Sequence, residues 1–236
     1  MAVYDLVRDP YLDPASGVLR NRLDISDPQV LAETEEVLVA TAAFSLLESL
    51  KPDHWDAALL KHLHHELFGR LYTWAGQYRT VEISKGSSRF AMAQYIPSQT
   101  EVVFSNLEQE RHDWQPGDPA VIDRLAHYYS ELNAIHPFRE GNGRTIRLLL
   151  SLLSNRYGWW LDWAAITAEE NTRASTLAFH GDESELREVL QRVAGRIQAS
   201  ESIRKDDGGS YEWTREAGNQ ATTSPGKGHR RKSRQW

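Results

Sequence analysis

The residues His136, Glu140, Gly141, Asn142, Gly143, Arg144 and Arg147 stand together in one short stretch of the chain and carry complementary chemistry. Glycines at 141 and 143 permit the positive-φ backbone that turns successive amide N–H groups toward one anion. The apolar positions Ile146, Leu149, Leu150 and Leu153 then recur at helical spacing, so a buried helix starts here and adds its free amides and positive dipole end. Arg144 and Arg147, three apart, share a face of that helix and offer two guanidinium forks, which suits a polyphosphate better than a single carboxylate. A carboxylate beside bound phosphates is a usual holder of Mg²⁺, and Glu140 stands immediately before the nest. His136, followed by Pro137 and an anchoring Phe138, presents an imidazole suited to general-base work at neutral pH. Phosphoryl-type transfer depends mainly on positioning and charge neutralisation, so little more is required. Alone, a His-Pro is usually a loop, a Gly-Asn-Gly a turn, and paired arginines a solvated face. Their contiguity at the mouth of one helix is what favours a site.

Most of the elements that must position this segment read as helices. Asp27 caps a first helix with Pro28 in its first turn, Leu31, Leu38, Ala42, Leu46 and Leu50 on one face, and an end at Lys51-Pro52. Further helices are expected at about Trp55 to Phe68, Pro97 to Arg111, Pro119 to Asn133, Thr167 to Phe179 and Asp182 to Ile203. Between the second and third the period changes: Tyr78 to Ile83 alternates as a strand, Lys85 to Ser88 is turn-like, and Arg89 to Met92 returns. A lone hairpin is marginal by itself, so it should rest on the helices and leave an edge free. The expected fold is mainly α, a helical bundle of about seven helices with a short β-hairpin.

Composition narrows the classes. With no cysteine there is no disulfide framework, thiolate metal site or cysteine nucleophile. The 40% hydrophobic and 25% charged content fits a globular chain, and no apolar run reaches the length of a spanning helix. No leader-like segment follows Met1, so a cytoplasmic location and no membrane partner are expected. A net charge of −6 argues against direct nucleic-acid binding. Between Asp206 and Trp236 stand six Lys/Arg against four Asp/Glu, amid Gly, Ser and Thr, and this basic tail is expected to be disordered. The expected division is an N-terminal helical extension over 1–50, a catalytic domain over 51–204 and the tail over 205–236.

At the residues His136 to Arg147 the sequence resembles the Fic family, whose pattern His-Pro-Phe-x-(Asp/Glu)-Gly-Asn-Gly-Arg-x-x-Arg it meets in full. Tyr72-Thr73-Trp74-Ala75-Gly76-Gln77-Tyr78-Arg79 is similar to the family's Tyr-x-Trp-Ala-Gly-x-x-Arg stretch. The resemblance runs from about Leu50 to Ile203 and extends more loosely toward Tyr11. It implies a Fic-type helical bundle with a hairpin flap over the active site. It also implies transfer of AMP from ATP to a Tyr, Thr or Ser hydroxyl of a target protein, with release of pyrophosphate. His136 would then be the general base and Glu140 the Mg²⁺ ligand. Gly141, Asn142 and Gly143 would cradle the phosphates, and Arg144 and Arg147 would hold the outer ones. Lys85 and Gly86 would approach the nucleotide from the flap, although a turn needs such residues anyway. The flap edge would pair with an extended segment of the target.

Gly143 favours AMP transfer, because Doc-type relatives carry Lys there and transfer the terminal phosphate. The alternatives are a Doc-like phosphotransferase and a non-catalytic module that holds a peptide at the hairpin edge. Many members carry Ser or Thr, three residues, Glu, then Gly or Asn on an inhibitory helix. The nearest approach here, Glu170-Asn171, has Ile166 at the hydroxyl position. The expectation is therefore a toxin-like protein restrained by a separate small antitoxin whose glutamate would pair with Arg147. By family analogy, DNA gyrase or topoisomerase IV is a candidate target.

Overall fold

The structure, a computed structural model, describes residues 9–85 and 88–197. Seven α-helices are found among them: α1 Pro28–Ser49, α2 Ala57–Phe68, α3 Ile96–Glu110, α4 Ala120–Ile135, α5 Asn142–Arg156, α6 Ala168–Phe179 and α7 Ser184–Val193. Four short strands complete the elements, β1 Ser84–Lys85, β2 Ser88–Arg89, β3 Trp159–Leu161 and β4 Ala194–Arg196. The fold is the expected mainly α bundle with a small hairpin. No helix among the described residues is long and apolar enough to cross a membrane.

Local chemistry sets most helix starts. The Asp27 carboxylate accepts from the amides of Gln29 and Val30 at 2.8 and 3.0 Å, satisfying two of the free donors of α1. Asp56 does the same for α2 through Leu59 at 2.7 Å, and Thr167 and Glu170 form a reciprocal capping box on α6. Helix α5 is the centre of the bundle: it packs on α4, α2, α1 and β3, and every residue from Leu148 to Ser154 is buried. α4 closes against α3, α6 and α7. Thus the helix that opens the candidate site is also the most enclosed one.

Two strand expectations need correction. The ladder of the hairpin is only Ser84 with Arg89 and Lys85 with Ser88, shorter than Tyr78–Ile83 against Arg89–Met92. The flanking backbone bonds to the bundle instead of to itself. The Arg79 amide donates to Pro137 O at 2.9 Å, the Thr80 amide to the Tyr11 hydroxyl at 3.1 Å, and the Ala91 amide to Ala134 O at 3.2 Å. The last helix also stops at Val193 rather than Ile203. Ala194–Arg196 pair antiparallel with Trp159–Leu161, a sheet that periodicity did not suggest. Gly195 explains the switch, since a Cβ there would lie 2.2 Å from the Trp160 indole nitrogen. Residues 198–203, the tail from Asp206 to Trp236 and Gly86 lie outside the described residues.

Arg79 is the buckle between hairpin and bundle. Its guanidinium is buried, and it donates to His136 O at 2.9 Å, Val81 O at 2.7 Å, Ile135 O at 3.3 Å and also to Ala91 O. Only a planar fork with several donors can serve carbonyls on both sides of the junction. Arg79→Ala should therefore cost roughly 3 kcal/mol or more in urea unfolding, because the buried carbonyls lose their donors. Arg79→Lys should recover less than half of that loss, and a fully stable lysine variant would refute the buckle.

Candidate nucleotide site

The loop between α4 and α5 is organised by what its carbonyl groups do. Helix α4 ends at His136, whose φ of 50° and ψ of 62° are left-handed and whose amide closes on Leu132 O. The carbonyls from Asn133 to Pro137 would otherwise be free, and each accepts a hydrogen bond. Asn133 accepts from His136 Nδ1 at 3.1 Å and Ala134 from the Ala91 amide at 3.2 Å. Ile135, His136 and Pro137 all accept from Arg79. Beyond them Phe138 O accepts from Asn142 Nδ2 at 2.8 Å, and Glu140 O from His64 Nε2 at 3.0 Å. Gly141 O accepts from the amide and hydroxyl of Thr145, both at 3.0 Å.

With the carbonyls held by the protein, the amides face the other way. Gly141 N donates to its neighbour's carboxylate, Glu140 Oε1, at 2.9 Å. None of the amides of Asn142, Gly143 and Arg144 donates to another group among the described residues. Gly141 makes this turn possible: its φ is +82°, and a Cβ there would lie 2.4 Å from the Phe68 ring. The Asn142 side chain is buried, and both its polar atoms bind the backbone of Phe138. Of the expected cradle residues, Asn142 thus offers its backbone N–H, while its side chain shapes the loop.

These groups line a cavity of about 760 Å³, among them His136, Glu140, Asn142, Gly143, Arg144 and Arg147. The Asn133 carbonyl can only accept, so His136 Nδ1 carries the hydrogen. The same imidazole stacks on Phe90, just beyond β2, at 3.8 Å between centroids. Arg144 lies over the Phe68 ring, 4.8 Å from its centre. The Glu140 carboxylate is about half exposed and lines the same cavity. Among the described residues no group of three or more His, Cys, Asp or Glu side chains is placed so that it could hold a metal ion. A Mg²⁺ here would take the one carboxylate of Glu140 and complete its shell with phosphate oxygens and water, which is how that ion usually binds nucleotides. Lys85 belongs to β1, but its side chain is not among the described ones, and Gly86 is outside them.

Tyr129, Trp163, Asn171, Ser175 and Phe179 also line the cavity and were not anticipated from sequence. The Tyr129 hydroxyl donates to Asn171 Oδ1 at 2.8 Å, which leaves the amide nitrogen of Asn171 as its donor side. Ser175 Oγ is buried and has no hydrogen-bond partner among the described residues. The only available signal was polar residues on the inner face of a helix, which looks the same as an ordinary solvated turn. Glu170, the nearest match to an inhibitory glutamate, accepts from the Thr167 amide at 2.8 Å and from Arg192 at 2.9 Å, so it caps its own helix and ties it to α7.

A helical bundle with unpaired helix-start amides, two arginines and an imidazole on one cavity is a class of site suited to a polyphosphate. Residues 54–154 match the Fic/DOC family. The chain is 34% identical over 194 residues to "Probable protein adenylyltransferase Fic" of Salmonella typhimurium, covering 82% of this chain and 96% of that protein. It is also 34% identical over 209 residues to "Protein adenylyltransferase VbhT" of Bartonella schoenbuchensis, where it covers 86% of this chain but spans only 44% of that longer protein. In fold it is similar to BepC of Bartonella tribocorum, solved with AMPPNP bound, at a TM-score of 0.74 and 24% identity over 80% of this chain and 97% of that one. The chain therefore belongs to the Fic/DOC family, among relatives named as protein adenylyltransferases.

His64, absent from the sequence expectations, holds the loop from below. It is fully buried, stacks on Phe138 at 3.8 Å, accepts from the Gly76 amide at 2.8 Å and donates to Glu140 O. Burial in this apolar stack, with the positive charge of Arg144 nearby, pushes its pKa down to about 4. The folded protein thus refuses a proton that the unfolded chain accepts near pH 6.5, so stability falls as pH drops from about 6.5 toward about 4. The loss attributable to His64 should approach 3 kcal/mol at the low end. Urea unfolding of wild type and His64→Gln across pH 7 to 4.5 measures it. The variant should be weaker at pH 7 with a shallower pH slope, and parallel slopes would exclude His64 as the cause.

Proposed function

We propose that the chain is a protein adenylyltransferase that moves AMP from ATP to a hydroxyl side chain of a target protein. One observation carries the reading: the free amides of residues 142–144, Arg144 and Arg147 converge on the cavity whose wall holds His136. The identity to relatives named as adenylyltransferases supports it.

The triphosphate would lie with its charge on the amides and the two arginines, and the base would lie toward Trp163, Asn171 and Ser175. The Asn171 amide can donate to a ring nitrogen of adenine, and the buried Ser175 hydroxyl has an unfilled hydrogen-bonding capacity suited to the nucleoside. Mg²⁺, held by Glu140, supplies neutralisation of phosphate charge. His136 Nε2 takes the proton of the target's Tyr, Thr or Ser hydroxyl as that oxygen bonds to the α-phosphorus. The bond from the α-phosphorus to the bridging oxygen breaks, and its electron pair leaves with pyrophosphate, whose charge Arg144 and Arg147 neutralise. The Asn133 carbonyl at the end of α4 stabilises the imidazolium that results.

The target segment is proposed to dock along the hairpin, where β1 and β2 form a two-stranded sheet with exposed edges beside Phe90 and His136. Gly143 supports AMP transfer over transfer of the terminal phosphate. A Cβ there would meet the Arg147 guanidinium at 3.5 Å, so a lysine side chain would start beside that cation and compete for the same anion. The proposed biological setting is a toxin-like, cytoplasmic protein restrained by a small antitoxin acting at Arg147.

Incubation of host lysate with α-³²P ATP should label a protein band, whereas γ-³²P ATP should not, and His136→Ala should reduce the signal at least a hundredfold. Label from the γ position would establish phosphotransfer instead, and equal labelling by His136→Ala would remove the catalytic assignment. Expression without a partner should arrest growth, with His136→Ala relieving it. Normal growth with active protein would refute the antitoxin setting while leaving the chemistry intact.

A further inference from the structure

Helix α1 lies outside the matched family segment, yet one of its side chains reaches into the site. Glu35 occupies the inward face of α1 between Leu31 and Val39, and it is only 8% exposed. A carboxylate on an apolar face is costly unless paired, and two partners are present. Its Oε1 lies 2.5 Å from Arg144 NH2, and its Oε2 accepts a hydrogen bond from the buried Tyr72 hydroxyl. Burial, the charge of Glu35 and its hydrogen bond raise the Tyr72 pKa, so that hydroxyl remains a donor throughout the working pH range.

Arg144 therefore has one carboxylate fixed on α1, the Phe68 ring beneath it at 4.8 Å, and the half-exposed Glu140 carboxylate at 3.6 Å. An arginine side chain has several rotatable bonds, and holding it at one site costs entropy. If the nucleotide had to order Arg144 on arrival, that cost would subtract from affinity. We propose that Glu35, held by Tyr72, is the positioning residue that pre-orients Arg144 for the outer phosphates. α1 thereby becomes part of the nucleotide site rather than an appendage beside it.

The alternative is that Glu35 competes with phosphate for Arg144 and acts as a brake. The geometry favours positioning. Glu35 is tied down by a second buried partner, and a guanidinium carries five N–H donors, so one carboxylate contact leaves others for phosphate. The two roles predict opposite signs for removal of the charge.

This inference rests on the nucleotide reading of the cavity, and a binding measurement separates the two. Isothermal titration of the full chain with AMPPNP and with AMP, each with Mg²⁺, compares wild type, Glu35→Gln, Tyr72→Phe, Arg144→Ala and the Glu35→Gln/Arg144→Ala pair. Glu35→Gln should weaken AMPPNP on the order of tenfold and AMP by less than about twofold, with little further loss in the Arg144→Ala background. Tyr72→Phe, which keeps its ring on Trp74, should show the same pattern at about two- to threefold. It decides the matter by the same criteria if Glu35→Gln does not fold. Unchanged or tighter AMPPNP binding, or an equal loss for AMP, would overturn the positioning role. If the wild type bound neither nucleotide, the cavity reading itself would fall, whatever the variants did.

Discussion

The structure turns on a hydrogen-bond requirement in the loop that joins α4 to α5. A helix end leaves its last carbonyls without partners, and a helix start leaves its first amides without partners. Here both ends meet within a few residues. Every carbonyl from Asn133 to Phe138, and those of Glu140 and Gly141, accepts from the protein. The amides of residues 142–144 find no acceptor among the described residues. Because these acceptors are satisfied from the protein side, the unpaired amides at the start of α5 are the groups left to meet a ligand, which favours an anion. Arg79 supplies most of the bonds to the α4 end, and His64 and Asn142 supply those beyond it. The anion nest thus depends on side chains that do not touch the anion.

The same requirement explains why the hairpin and the base are coupled. The Asn133 carbonyl fixes the tautomer of His136, the next four carbonyls bind Arg79 and the Ala91 amide, and Phe90 covers the imidazole face. A displacement at the foot of the hairpin would therefore shift the His136 ring. Under the proposed function, this geometry would tie the placement of a target strand to the placement of the base, two requirements that transfer to a hydroxyl must meet together.

Much of this was legible in the sequence where one local rule dominated. Asp27 with Pro28 fixed the start of α1 to the residue, and the Leu-rich period after Gly143 placed α5. The run from His136 to Arg147 was readable because consecutive residues form one turn into one helix, so spacing in sequence is spacing in space. What could not be read involved partners distant in sequence. Arg79 binds carbonyls more than fifty residues away, which local pattern cannot encode. Tyr78 to Ile83 looked like a strand because its alternation is real, but its amides found the bundle and Tyr11 before they found the facing strand. The final helix period continued past Val193, but Gly195 and the edge of β3 ended it.

Glu35 shows the same limit with more at stake. In the stripe Leu31, Leu38, Ala42, Leu46 it sits at a position where helical spacing calls for an apolar residue, and periodicity alone would count it as noise. A buried carboxylate persists only where a cation and a donor meet it, so the irregularity pointed to a partner on another element. That partner proved to be the first arginine of the motif, with Tyr72 of the aromatic stretch as the donor. The two segments that carried the family resemblance are thus joined through a residue that lies outside both of them. A charged residue breaking an apolar stripe is therefore a more useful pointer to a site than another residue that obeys it.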